Sequence, residues 1–420
     1  IHIDGHSDMA VPSYFPGFPL NFPSKGKHRF LMQENDMFIM SAALTGLIGK
    51  IIWIWPSWDQ KDHDMPFLHQ KMEIGLVMTD ESDKTFCVCE MNESKQRVCA
   101  GVLNEYVDNK FVEMVDMDPN FCIIKRTFIN EEIREEVAAE RLSQSLSTSG
   151  SQGTILDIDE DYYGCMHAIR PLLEAGLTEE RVFALDDIID ELFCPKNAAE
   201  EFLTDQLLVG FLNKIFKLRC TRGMKDVTGH ECLDKIIIAM FKGQLRRKVL
   251  QNYSNLLCSE RKVKKTHKRS IKRLVKEFFR LNNAQNKALQ YVGFCFQSTP
   301  LSFNLTNDVS FKTCQGSNTP NDSVVIEHQT NIREITERTK SFRRILSVVK
   351  KANPKLVTLC RSTRDGYTPR QFFSKIENDV IDSLRHIYTN TKVLYDTELL
   401  GGRKGWPERC GNKMNNYDFS

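Results

Sequence analysis

Apolar and polar positions follow two rhythms along this chain. Ile1 to Ile3 is a β-forming apolar start, and Gly- and Pro-rich sequence follows to about Gly26. This predicts the end of a buried strand running into a site-forming loop. From Asn35 to Leu47 the spacing turns helical, with Phe38, Ala42 and Thr45 on one face and Gly49 closing the segment. Lys50 to Trp55 is an apolar, β-branched and aromatic run ended by Pro56, which predicts a strand. Strand, loop, helix and strand in that order favour an α/β domain with a parallel sheet.

Residues 60–125 read as irregular strands and connections. Asn130 to Leu146 predicts a charged helix and Ser147 to Gly153 a Ser/Gly linker, so 126–153 is expected to be a surface insertion. Thr154 to Ile158 predicts another buried strand. Leu172 to Leu257 is mainly helical, and 190–290 reads as a helical insertion that includes the basic segment 261–280. Thr313 to Asp322 is polar and loop-like. Ile332 to Lys350 predicts a helix broken at Asn353-Pro354, Leu356 to Cys360 a strand, Pro369 to Tyr388 a helix with Pro in its first turn, and Val393 to Tyr395 a last short strand. No internal repeat is present.

The chain has 420 residues, 41% of them apolar and 27% charged. This excludes a wholly disordered chain, collagen and a membrane bundle. A net charge of +2 gives no global field toward nucleic acid or an acidic partner. No stretch reaches the ~20 apolar residues of a membrane helix, and Leu47 to Pro56 is short and contains Lys50. The sequence begins at Ile1 inside a predicted strand, as a fragment does, so no targeting signal can be read from it. The thirteen cysteines are odd in number and scattered, with only Cys87 and Cys89 close together and no second pair. Reduced intracellular thiols are therefore expected rather than a disulfide scaffold, and no structural zinc site. The expected location is cytoplasmic, with the nucleus as the alternative. The Asn-x-Ser/Thr triplets at Asn304 and Asn321 matter only for a secreted chain.

Chemistry concentrates in two segments. I-H-I-D-G-H-S-D-M gives Asp4, His6 and Asp8 at spacing two, on one face of extended backbone where an apolar strand meets a Gly-rich loop. T-I-L-D-I-D-E-D-Y-Y-G gives Asp157, Asp159 and Asp161. The D-x-D motif alone reads as surface carboxylates holding turns, and D-x-H-x-D alone is divided between that reading and a ligand set. Two acid-rich strand ends in one chain need a cation to offset their repulsion and burial, and a hard or borderline divalent metal provides it.

This pair of motifs resembles the arginase and histone-deacetylase superfamily, with its ureohydrolase-like α/β fold. The resemblance implies a three-layer arginase-like domain over 1–420 with a mainly parallel sheet, truncated at its N-terminus and carrying helical insertions. In arginases, D-x-H-x-D and a later D-x-D hold two manganese ions. Carried over, Asp4 and Asp157 would bridge, His6 and Asp159 would complete one ion, and Asp8 would serve the other. The deacetylases use one zinc, through positions matching Asp4, His6 and Asp159. The chain more closely resembles an uncharacterised eukaryotic family related to bacterial peptide arginases, which convert arginine side chains in peptides to ornithine. Four segments carry this likeness: H-I-D-G-H-S-D, W-I-W-P-S-W with Trp53, Trp55, Pro56 and Trp58, L-D-I-D-E-D-Y-Y, and L-V-T-L-C-R-S-T-R-D-G-Y-T-P with Arg361, Ser362, Asp365, Tyr367 and Pro369. Two departures stand out. The metal-binding His that such proteins carry upstream falls before Ile1, and the late His pair is matched by Glu327 and His328.

The resemblance implies hydrolysis of a guanidino C–N bond, peptidyl-arginine to ornithine plus urea, on a peptide or protein substrate. Asp161 and Asp365 are the candidate carboxylates for substrate and proton work, beside their simpler roles in turns, with His328 as a further candidate. Arg361 would pair a carboxylate or a peptide carbonyl. Glu34 and Asp36 read as helix caps or substrate contacts, and Trp53, Trp55 and Trp58 as packing or a cage. The basic run 261–280, ten Lys/Arg against Glu277, reads as a solvated amphipathic helix with Leu274, Val275, Phe278 and Phe279 as its apolar stripe. Nucleic-acid binding is its functional reading. No catalytic partner for a thiol is apparent in the sequence. The competing activities are a single-zinc deacylase of acyl-lysine or polyamines and a non-catalytic scaffold that binds RNA or protein.

Overall fold

Five strands run parallel at the heart of one mixed sheet: β1 (His2–Ile3), β2 (Lys50–Trp55), β7 (Cys122–Arg134), β8 (Ile155–Asp159) and β11 (Leu356–Cys360). The computed structural model describes residues 1–12, 36–59, 65–78, 84–92, 94–107, 110–147, 153–196, 198–221, 243, 254–258, 263–297, 310–314, 326–363 and 366–395. Four further strands, β3 (Phe67–Met78), β4 (Lys84–Met91), β5 (Arg97–Val107) and β6 (Lys110–Met117), extend the sheet as an antiparallel meander. The order is β11-β8-β1-β2-β7-β3-β4-β5-β6.

Among the parallel strands β2 is buried on both faces, as its near-continuous apolar run dictates, whereas β11 at the sheet edge has no buried residue. In β2, Ile52 and Ile54 face a core built with α2 (Glu135–Ser147), α8 (Ile332–Val349) and α9 (Phe373–Ile387). Ile51 faces the other way, onto α1 (Phe38–Leu44), with Ile74, Phe86, Val88 and Phe128. Helices thus cover both faces of a mixed α/β sheet. A second cluster joins α3 (Arg170–Glu174), α4 (Glu179–Leu192), α5 (Ala198–Thr221), α6 (Val263–Arg280) and α7 (Asn283–Val292) with the two-stranded sheet of β9 (Phe294–Gln297) and β10 (Ser310–Thr313). In α6, Ile271, Leu274, Val275 and Phe278 are buried in this cluster, so the amphipathic reading of the basic run holds from Ser270 on.

Several expectations shift. The segment 126–153 is no surface insertion: residues to Arg134 form a central strand, and α2 buries Ala138 and Leu142. N-E-E-I-R looks helical by composition, but its backbone pairs on both sides. Buried Glu131 is offset by Lys50 Nζ at 2.9 Å. Residues 67–117 carry four long strands whose ladders are irregular at Ile74/Gly75 and Val102/Glu105. Val393–Tyr395 is not a strand. The expectation of reduced thiols is overturned. Cys87–Cys122, Cys89–Cys99, Cys194–Cys258 and Cys295–Cys314 are disulfides. Among the described residues no helix is long and apolar enough to cross a membrane.

Candidate metal centre

β1 lies between β8 and β2, and its register sets His2 opposite Asp157 and Ile3 opposite Ile158. The two acid-rich segments therefore emerge side by side at the carboxyl ends of neighbouring parallel strands, where α/β sheets place their ligands. Past Ile3 the chain turns. Asp4 is anchored through its backbone, its N–H donating to Ile54 O at 3.3 Å and its carbonyl accepting from Trp53 Nε1 at 3.1 Å. The next two amides fix carboxylates: Gly5 N–H donates to Asp161 Oδ1 at 3.1 Å and His6 N–H to Asp4 Oδ1 at 2.6 Å. A Cβ at Gly5 would sit 3.0 Å from Asp161 Oδ1 and 3.2 Å from Trp58 Cζ2, so the close approach needs glycine. Asp8 adopts the left-handed region at φ 46°, which aspartate tolerates. Asp161 leaves β8 in a 3-10 turn, Glu160–Tyr163, which Asp159 caps by accepting from Asp161 N–H at 3.1 Å.

Two groups result that could each hold a cation, and both use Asp4. One is His2, Asp4 and Asp8; the other is Asp4, His6 and Asp161; within each group the ligand atoms lie within 4.8 Å of one another. His6 Nδ1 stands 2.7 Å from Asp161 Oδ2 and 3.6 Å from Asp4 Oδ1. His2 Nε2 faces Asp4 Oδ2 at 3.0 Å, yet both buried atoms lack a hydrogen-bond partner of proper geometry. Two orphaned ligand atoms aimed at one another fit a cation placed to engage both.

The electrostatics agree. Burial alone would raise Asp4, but His2 and His6 outweigh it and hold the carboxyl well below the usual range. Burial and then the charge of Asp4 push Asp161 up to about 7, and they raise Asp8 as well. Burial opposes charge on His2, but Asp4 and Asp157 carry it up to about 10; Asp161 raises His6 in the same way. The cluster gathers protons where it has no other positive charge. A divalent ion removes that need, and the oxygen-and-imidazole donor set suits manganese or zinc.

Of the expected metal ligands, Asp4, His6 and Asp8 enter these groups, together with Asp161, which the sequence cast as a catalytic acid. Asp157 and Asp159 do not enter them. Asp157 Oδ2 lies 2.9 Å from His2 Nδ1, its other oxygen accepts from Thr358 Oγ1, and Asp159 caps the turn. His328 stacks flat on Trp58, with ring centroids 5.1 Å apart and planes at 3°, and pairs with Glu334. Its amide donates to Cys165 O at 2.7 Å. Arg361 pairs with Glu377 at 2.8 Å through Nε and Nη2. Asp365 and Glu34 lie outside the described residues, and Asp36 accepts from Ala10 N–H through its carbonyl. Trp53 and Trp55 are buried packing, and Trp58 lies against the Gly5 loop.

Two residues escaped the sequence reading. His2 shares the parity of Asp4, His6 and Asp8, which could have revealed it. Cys165 Sγ lies 3.7 Å from His6 Nε2, a pairing with no signal in sequence. Comparison of the sequence with models of known protein families and with curated proteins returns no match. The likeness to arginases therefore rests on the motifs.

Proposed function

We propose that the chain is a metal-dependent hydrolase of arginase-like type, with two divalent ions held by His2, Asp4, His6, Asp8 and Asp161. The observation that carries this reading is the sharing of Asp4 between two cation-sized groups of acids and histidines at the sheet's carboxyl edge. When bound, such ions supply a water activated near neutral pH for attack on a planar sp² carbon. The chain's own residues supply the order. The amides of Gly5 and His6 fix the two carboxylates. Asp157 and Thr358 hold His2 with Nε2 toward Asp4, in a carboxylate–histidine–metal arrangement. The Trp58–His328 stack and Tyr367, whose ring lies 5.3 Å from that of His6, wall the centre. The proposed substrate is an arginine guanidino group in a peptide or protein, with ornithine and urea as products, and manganese is the proposed metal.

The test is metal analysis of the purified chain after incubation with manganese or zinc, with urea and ornithine measured on arginine peptides. Two ions per chain and urea release are expected; absence of any divalent metal uptake sinks the proposal. The group Asp4, His6 and Asp161 standing alone favours the second reading, a one-zinc deacylase. Zinc at one per chain with hydroxamate binding would select that reading. Nothing in the geometry favours the nucleic-acid-binding scaffold over these. The disulfides fit an oxidising compartment, so the cytoplasmic expectation does not enter the proposal.

Asp157→Asn is expected to weaken metal binding by about 10–100-fold with the fold intact, because it acts through the orientation of His2. Calorimetric titration decides. A loss far beyond that range would make Asp157 a direct ligand, and no loss would remove its positioning role.

A further inference from the structure

A second cluster of metal-ligating side chains lies in the meander, away from the carboxylates. Cys87 and Cys89 stand two apart on β4 and so share one face. β5 sets Cys99 directly opposite Cys89. Cys122 opens β7, on the far side of β3. It reaches the others across Gly75. A Cβ at Gly75 would meet Ile123 O at 2.4 Å and Cys122 Sγ at 3.0 Å, and the ladder between β3 and β7 shifts register at that residue. Cys87 is opposite Gly75 on one side and Gly101 on the other. Two glycines thus clear the space beside one thiol.

The consequence is a single knot of sulfur. The Sγ atoms of Cys89, Cys99 and Cys122 all lie within 4.8 Å of one another, although they belong to two different disulfides. Cys87 is bonded to Cys122, so it joins the same knot. The four residues are between 0% and 6% exposed, fenced by Val77, Met117 and Ile124. In a tetrahedral zinc thiolate, zinc–sulfur bonds of about 2.3 Å put the sulfurs about 3.8 Å apart. Three sulfurs already within 4.8 Å of one another, with a fourth bonded to one of them and all four residues nearly closed to solvent, offer the soft donor set of a structural zinc site.

We propose that Cys87, Cys89, Cys99 and Cys122, once reduced, form a tetrathiolate site for one zinc ion, so that the same four sulfurs clamp β4, β5 and β7 as two disulfides or as a zinc complex. The exchange balances. Two dithiol molecules reduce the two disulfides, each passing two electrons and two protons and becoming a disulfide itself. Zinc(II) then takes four thiolates and releases four protons, with no electron moving to or from the metal.

The probes are cobalt(II) and zinc(II), added to the whole chain after reduction by a dithiol and desalting. Cobalt is expected to give thiolate charge-transfer absorption that saturates at one ion per chain and is displaced by zinc. Zinc is expected to protect Cys87, Cys89, Cys99 and Cys122 from alkylation, read by peptide mapping, while manganese does not. The double variant Cys99→Ser/Cys122→Ser should lose the absorption, and Cys194→Ser/Cys258→Ser should keep it. Absorption that survives in the first variant overturns the proposal. So does equal alkylation of the four thiols with and without zinc in the unsubstituted chain, a result that does not depend on any variant folding.

Discussion

Asp4→Asn is expected to abolish binding at both cation positions at once. Among the described residues no other belongs to both groups, and the side chain is 1% exposed, so water cannot stand in for it. Removal of a residue that only orients a ligand costs about 10–100-fold in metal affinity. Loss of a shared charged ligand should exceed the upper end of that range at each position. The amide keeps the size of the carboxyl, so the fold should survive, and circular dichroism would confirm it. Metal content after dialysis and calorimetric titration with manganese provide the readout, and urea release should fall with them. Asp8→Asn gives the contrast. It belongs only to the group with His2, so the Asp4, His6 and Asp161 group should persist. If Asp4→Asn retains two ions at unchanged affinity, the centre is not where the geometry puts it.

The sequence exposed the strands that build this centre better than the atoms that would line it. Lys50–Trp55 and Leu356–Cys360 were readable because apolar, β-branched runs bounded by Pro and polar breaks have one stable use in a sheet. The acid-rich ends were readable because buried carboxylates need a reason. Which carboxylates converge was not readable. Asp157, Asp159 and Asp161 all share parity, and the choice among them depends on how far β8 is offset along β1. That offset places Asp157 beside His2, and the 3-10 turn, which breaks the two-residue rhythm, carries Asp161 to His6. No local signal encodes either fact.

The misread at 126–153 has a related cause. Glu131 and Glu132 favour a solvated helix by composition, but pairing of β7 with both β2 and β3 overrides that preference. The cysteines failed differently. Partners 35 and 64 residues apart are invisible to spacing rules, and Cys99 and Cys122 supply the second pair that C-x-C lacked only after the meander folds.

Glu135→Ala is expected to be among the most destabilising single changes, at about 3–5 kcal/mol. Glu135 opens α2 directly after β7, and its side chain joins three parts of the molecule. Oε1 accepts from Ser57 N–H at 2.9 Å and from Arg338 Nη1 at 3.1 Å, and Oε2 accepts from Tyr162 OH at 2.5 Å. Glu135 and Arg338 are 6% and 5% exposed. Truncation strands the guanidinium, which keeps Glu334 at 3.2 Å but loses its buried partner, and it leaves the Tyr162 hydroxyl without its acceptor. Tyr162 follows Asp161 in the turn that aims the carboxylate, so metal affinity should fall as well as stability. Denaturant unfolding measures the first and titration the second. Removing both charges separates the cause: Glu135→Ala/Arg338→Met should be more stable than Glu135→Ala alone, because an unpaired buried charge costs more than an apolar side chain in its place. A loss below about 1 kcal/mol for Glu135→Ala, the range of an exposed pair, would show that water reaches the network and that the turn bearing Asp161 is held by something else.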